Sequence, residues 1–130
     1  MRIFNGGGYT INLQGYGDVV GLYNTNGIAD WINGSYGAIG VNSAQTVVNG
    51  SGNYIALTGY GSAVAVCNTN GIADLIDGSY GGIAVSNAQT VVNGGGNTIA
   101  LVGYGDAVAV CNTNGIADLI DGSYLSLIHI

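Results

Sequence analysis

Residues 53–92 read NYIALTGYGSAVAVCNTNGIADLIDGSYGGIAVSNAQTVV. Within them a small or polar residue is followed two and four positions later by aliphatics: Asn53-x-Ile55-x-Leu57, Ser62-x-Val64-x-Val66, Asp74-x-Ile76, Gly81-x-Ile83-x-Val85, and then Val92. Alternation with a period of two over such short runs, each bounded by Gly or Asn, predicts short strands with one buried face. The turns between them are Gly-Tyr-Gly, Asn-Thr-Asn-Gly and Gly-Ser-Tyr-Gly, in which Gly and Asn tolerate the positive φ that other residues resist.

Outward from this stretch the same pattern recurs. Asn24-Thr25-Asn26-Gly27-Ile28-Ala29-Asp30 returns at Asn68–Asp74 and at Asn112–Asp118, a period of 44. Gln45–Tyr80 and Gln89–Tyr124 align over 36 pairs with four differences, Ser51/Gly95, Tyr54/Thr98, Thr58/Val102 and Ser62/Asp106. A duplicated structural unit follows. Comparing copies separates two faces. Ile11/Ile55/Ile99, Leu13/Leu57/Leu101, Val20/Val64/Val108 and Leu22/Val66/Val110 stay aliphatic, while their neighbours Asn12/Ala56/Ala100 and Gln14/Thr58/Val102 change chemistry. The constant set is expected to share one dry core.

These features predict an all-β chain, a right-handed parallel β-solenoid with aliphatic ladders inside and Gly, Asn, Tyr and Asp at the corners. Tyr60, Tyr80 and Tyr104 fall 20 and 24 residues apart. This spacing divides the 44-residue unit into two coils of about 22, hence about six coils in all, with copies two coils or about 10 Å apart. On that spacing Cys67 and Cys111, the same position in two copies, lie beyond the ~7 Å Cα limit of a disulfide and stay free. A single 44-residue coil would instead let them pair. Asp30 interrupts the alternation, because it falls on the side of Ile28 and Ile32, where an unpaired carboxylate is costly. A corner at Ala29-Asp30, with the carboxylate accepting backbone N–H groups, resolves this; a short helical turn after Asn26 is the alternative.

The composition sets limits on function. There are 25 Gly, no Pro, one basic residue (Arg2) and seven acids, all Asp, for a net charge of −6. Nucleic-acid binding needs clustered Lys and Arg and is excluded. No stretch approaches the ~18 apolar residues of a membrane span, and no charged region followed by an apolar core marks a signal peptide. Nucleophilic triads need a His, and the only one is His129 in the terminal hexapeptide. The close acidic pairs, Asp74 with Asp77 and Asp118 with Asp121, repeat with the scaffold, and Asn33 stands in the first copy where Asp77 and Asp121 stand later. The chain therefore reads as a non-enzyme, with no residue assigned a catalytic, cofactor-binding or metal-binding role.

Through Tyr124 the chain resembles the β-strand repeat arrays of very large secreted or surface proteins of bacteria. The residues that carry this are Asn68-Thr69-Asn70-Gly71, Gly78-Ser79, Asn87-Ala88-Gln89 and Gly94-Gly95-Gly96-Asn97-Thr98-Ile99. The resemblance implies an extracellular or cell-surface spacer or adhesin stalk. Gly105-Asp106-Ala107-Val108 and Asp118-Leu119-Ile120 are also distantly similar to haemolysin-type repeats, which bind Ca²⁺ in the turns of a β-roll. In this chain, however, Gly directly precedes Asp106, and Ser62 replaces Asp106 in the second copy. Calcium binding is the alternative reading. Ice binding is the third, from single Thr positions at 25, 69 and 113. The Tyr ranks 16/60/104 and 36/80/124 are expected to pack over neighbours rather than stack on glycans.

Both termini read as interruptions of the pattern. Met1-Arg2-Ile3-Phe4-Asn5-Gly6 takes the slots of Gln45–Gly50, so residues 1–124 read as one solenoid segment without caps, open to self-association through its ends. Leu125-Ser126-Leu127-Ile128-His129-Ile130 breaks the repeat and resembles a translated sequencing adapter; residues 125–130 are expected to be a non-native tail that frays.

Overall fold

The computed structural model describes residues 1–14, 17–23, 27–59, 61–67, 72–102, 106–111, 116–122 and 126–129, with side chains through Asp121. Among these residues there is no helix, and every regular element is a short strand. Strands β1 (Arg2–Asn5), β3 (Val19–Tyr23), β5 (Ala38–Asn42), β7 (Tyr54–Thr58), β9 (Asp74–Asp77), β11 (Gln89–Asn93), β13 (Ala107–Cys111) and β15 (Ser126–His129) stack in that order into one parallel sheet. The intervening β2 (Thr10–Asn12), β4 (Asp30–Asn33), β6 (Gln45–Asn49), β8 (Ala63–Cys67), β10 (Gly82–Ser86), β12 (Thr98–Leu101) and β14 (Leu119–Gly122) stack into a second. The chain passes from one sheet to the other and back, laying each strand parallel to the one two before it. This is the parallel solenoid that the alternation predicts.

The winding is shorter than expected. Along the first sheet Val20 stands opposite Arg2, Ile39 opposite Val20, Ile55 opposite Ile39 and Ile76 opposite Ile55, steps of 18, 19, 16 and 21 residues. Windings average about 18 residues rather than 22. The 44-residue unit holds five strands, β3 to β7 and then β8 to β12. Two strands make a winding, so the unit is two and a half windings rather than two. The odd half-turn places equivalent positions on opposite sheets: Val20 and Val108 lie in the first, Val64 in the second. Each ladder is therefore built from non-equivalent residues, such as Ile39, Ile55, Ile76, Val92 and Val110 on one side of the core.

The predicted inward set forms that core. All of it is buried except Leu13, which is half-buried and packs against the rest. Facing it on the second sheet are Ile11, Ile32, Val48, Val66, Val85 and Leu101, each on the rung next to the last. Each fully buried Ile, Leu or Val contributes roughly 1.5–3 kcal/mol by leaving water, and neighbouring windings saturate one another's backbone groups. Ser126–His129 form the outermost strand of the first sheet. Leu127 pairs opposite Val108 and His129 opposite Val110, because an open parallel edge accepts any backbone in extended form.

Candidate functional site

The polar residue that heads many strands points inward at a corner and ties one winding to the next. Asn53 is buried; its side-chain oxygen accepts the Gly37 N–H at 2.9 Å and its side-chain amide donates to the Gly34 carbonyl at 3.1 Å. The Asn53 backbone N–H in turn donates to Asp74 Oδ1 at 2.7 Å. Three windings are clasped in this way. The next copy repeats the clasp with Gly81 N–H on Asn97, Asn97 on the Gly78 carbonyl, and Asn97 N–H on Asp118 Oδ1 at 2.7 Å. In the first copy Tyr9 N–H donates to Asp30 Oδ1 at 2.8 Å. Asp30 therefore receives the backbone donor expected of it, as the first residue of β4.

The second oxygen of each of these carboxyls, Oδ2 of Asp30, Asp74 and Asp118, is buried without a partner among the described residues. Desolvation pushes the Asp74 carboxyl up to about 6, against the opposing pull of the Asn53 backbone and side-chain hydrogen bonds. Desolvation raises Asp30 as well, with the Tyr9 and Gly8 N–H groups pulling the other way.

The acidic pairs of the sequence do not meet. Period-two alternation in β9 turns Asp74 into the core and Asp77 outward, where Asp77 Oδ2 accepts the Tyr54 hydroxyl at 2.9 Å and Oδ1 the Asn93 amide at 3.4 Å. The Asp77 carboxylate raises the Tyr54 phenol by that hydrogen bond and by its charge. Asp118 and Asp121 divide in the same way, with Asp121 exposed on β14. Asp106, the residue of the haemolysin-like match, is buried and accepts the Ala88 N–H at 2.9 Å. Ser62, its equivalent, accepts the Ser43 N–H at 3.0 Å, and Asp18 that of Gln14 at 2.9 Å. The Gln14 hydrogen bond, followed by the Arg2 guanidinium, holds the Asp18 carboxyl below the ordinary range. Arg2 pairs with Asp18 and also donates to the Asn12 carbonyl at 2.9 Å. Among the described residues no three His, Cys, Asp or Glu side chains converge as metal ligands.

Cys67 and Cys111 are free and half-buried. They sit on β8 and β13, in opposite sheets and two and a half windings apart, rather than in one ladder. The Cys67 thiol donates to the Val48 carbonyl at 3.6 Å, and burial, then the Asp74 charge, pushes it up. Because the thiolate is the nucleophile, Cys67 is expected to alkylate at pH 7.4 more slowly in the folded chain than in urea. Mass spectrometry of iodoacetamide-treated protein checks this, and equal rates would refute the buried-thiol picture.

Tyr36 and Tyr80 do pack over neighbours. A Cβ on Gly52 would lie 2.7 Å from the Tyr36 ring, and one on Gly96 2.8 Å from that of Tyr80. The Tyr residues at 16, 60, 104 and 124 and the Thr residues at 25, 69 and 113 lie outside the described residues. Two features escaped the sequence reading. One is that the tyrosines themselves take positive φ, 61° at Tyr36 and 59° at Tyr80. The other is a shallow apolar trough of about 420 Å³ on the outer face of the second sheet, floored by Ala65, Ala84 and Gly82. A smaller one of about 170 Å³ lies on the first sheet, lined by Ala73, Gln89, Val91, Ala107 and Ala109 among others. These are Ala29, Gln45, Val47, Ala63 and Ala65 of the first trough displaced by one repeat. Comparison of the chain with protein-family models, with curated proteins and with solved structures finds no match.

Proposed function

We propose that this chain is a structural or adhesive repeat segment, a spacer or stalk of a large bacterial extracellular protein, without catalytic activity. The observation that carries the reading is the clasp. Asp30, Asn53, Asp74, Asn97 and Asp118 each commit one side-chain oxygen to a backbone N–H of the adjacent winding, and they recur with the repeat rather than gathering once. A rod of this kind grows by equal layers, and its stability is a sum over neighbouring windings. The extracellular address rests on the resemblance to bacterial surface repeat arrays.

Tandem chains carrying one, two or three further 44-residue units test the spacer reading by small-angle scattering. Each unit is expected to lengthen the particle by about 12 Å at constant cross-section, two and a half windings at ~4.8 Å. Growth in width instead of length would overturn it. Melting with and without millimolar Ca²⁺ is expected to give the same midpoint. A large upward shift, the signature of a ligand held by the folded state alone, would favour the calcium alternative.

A further inference from the structure

We propose that Asn33, Asn49 and Asn93 are latent sites of spontaneous deamidation, withheld by the closed rod and released for good when a winding opens. Each is followed by glycine, as Asn33-Gly34, Asn49-Gly50 and Asn93-Gly94. In such a dyad the glycine backbone nitrogen, once it has lost its proton, attacks Cγ of the preceding side chain. A glycine has no Cβ to hinder the approach. The N–Cγ bond forms, the Cγ–Nδ2 bond breaks and ammonia leaves, giving a cyclic succinimide. Water then opens either of the two carbonyl–nitrogen bonds of the ring, to aspartate or to isoaspartate. Solvent is the only co-reactant.

The fold cannot dispense with these glycines. Their φ values are 133°, 143° and 136°. A Cβ would stand 2.7 Å from Leu13 Cβ at Gly34, 1.9 Å from the Gly34 carbonyl oxygen at Gly50 and 1.7 Å from that of Gly78 at Gly94. Each Asn sits at the half-buried end of its strand, so exclusion of water does not protect it. What the rod withholds is the nucleophile. Gly34 N–H donates to the Asn49 carbonyl at 2.9 Å, Gly50 N–H to that of Cys67 at 3.2 Å and Gly94 N–H to that of Cys111 at 3.1 Å, each in the next winding. Asn5-Gly6 and Asp77-Gly78 are tied in the same way, Gly6 N–H to the Tyr23 carbonyl and Gly78 N–H to that of Asn93, both at 2.9 Å. The leaving amides are engaged as well: that of Asn33 donates to Asn12 Oδ1 at 3.3 Å and that of Asn93 to Asp77 Oδ1 at 3.4 Å. Attack therefore waits until a rung opens and the Asn–Gly peptide swings out of the ladder. Asn26, Asn70 and Asn114, which also precede glycine, lie outside the described residues.

The product no longer fits the place it left. Isoaspartate lengthens the backbone by one atom, which puts the strand out of step with its neighbours. Plain aspartate adds a charge to a chain that already carries −6. At position 93 the new carboxylate would stand opposite Asp77 on the neighbouring rung, and like charges facing across a sheet destabilise it. A winding that stays open long enough to react therefore closes less well afterwards.

The test follows deamidation of the full chain site by site, by mass spectrometry of chymotryptic peptides and by enzymatic methylation of isoaspartate, folded and in urea at the same pH. Deamidation is slow against opening and closing, so its rate follows the open population. All three sites are expected to react at least roughly 100-fold more slowly in the folded chain. The Gly34, Gly50 and Gly94 amides should be protected from hydrogen exchange by a similar factor, and urea below the midpoint should raise exchange and deamidation together. Asn93→Asp should lower the urea midpoint, and adding Asp77→Asn should restore most of the loss. Equal deamidation rates in the folded and unfolded chain would overturn the proposal. So would glycine amides that exchange freely while the Asn residues stay intact, because the protection would then lie elsewhere than in the N–H bond. An Asn93→Asp chain as stable as the natural one would overturn the one-way character of the release.

Discussion

Gly94→Ala is expected to cost at least about 4 kcal/mol of stability, whereas Gly61→Ala costs about 1–2 kcal/mol. Both residues have positive φ, 136° and 78°, so the backbone preference of an L-residue opposes both substitutions. The difference lies in what the new methyl meets. At Gly61 nothing stands within 4 Å, while at Gly94 a Cβ would fall 1.7 Å from the carbonyl oxygen of Gly78 in the adjacent winding. Neither backbone can retreat. Gly94 N–H donates to the Cys111 carbonyl at 3.1 Å and Gly78 N–H to the Asn93 carbonyl at 2.9 Å. The Gly78 oxygen is also the acceptor held by the Asn97 amide, so moving it breaks the clasp. Gly50, whose Cβ would lie 1.9 Å from the Gly34 oxygen, should behave like Gly94. Urea unfolding followed by circular dichroism measures all three variants. Equal losses at Gly94 and Gly61 would mean that contact between windings does not decide the cost.

That steric lock marks the boundary of what the chain's letters disclose. Which residues face inward follows from a two-residue alternation compared across copies, and Ile55, Val64, Val66 and Ile99 are buried as that comparison requires. The fate of Asp30 was equally legible, because a carboxylate among aliphatics has few outlets other than a backbone donor. Winding length was not. The strand-and-turn beat of about nine residues is visible in the sequence, but how many beats close one turn depends on whether the cross-section has two sheets or three. Tyr60, Tyr80 and Tyr104 offered a periodicity that follows the 44-residue unit and not the winding. From the missed half-turn came the misplacement of Cys67 and Cys111 in one ladder. The apolar trough on the second sheet was hidden for the same reason: Val47, Ala65 and Ala84 are neighbours only in the observed register. Positive φ at Tyr36 and Tyr80 ran against residue preference, and the ring's seat on Gly52 or Gly96, a contact between windings, overrides it.

The interior carboxyls make the rod a protein that should be more stable in mild acid than at neutrality. Asp74 titrates at about 6 when folded and near 3.9 when unfolded, so across that window the folded state holds a proton that the unfolded chain releases. Stability contributed by the protonated form is complete below about pH 4 and is lost as pH rises through about 6. The full loss is on the order of 3 kcal/mol at 1.36 kcal/mol for each unit. Asp30 shifts in the same direction and adds to the slope. Asp18 is depressed, so its contribution disappears only at more acid pH, outside the window. Falling net charge also favours the compact state toward the pI of about 4.1, and Asp74→Asn separates the two effects. Its side-chain oxygen still accepts the Asn53 N–H, while nothing remains to ionise. Urea midpoints from pH 4 to 7.5 should therefore fall steeply for the natural chain and more gently for Asp74→Asn, with the variant the more stable at pH 7.5 by up to about 3 kcal/mol and the two nearly equal at pH 4. Parallel curves would show that Asp74 ionises in the folded rod as freely as in water, and the orphaned Oδ2 would then have to be solvated. A curve rising toward neutrality would reverse the sign and remove the buried carboxyls as its cause.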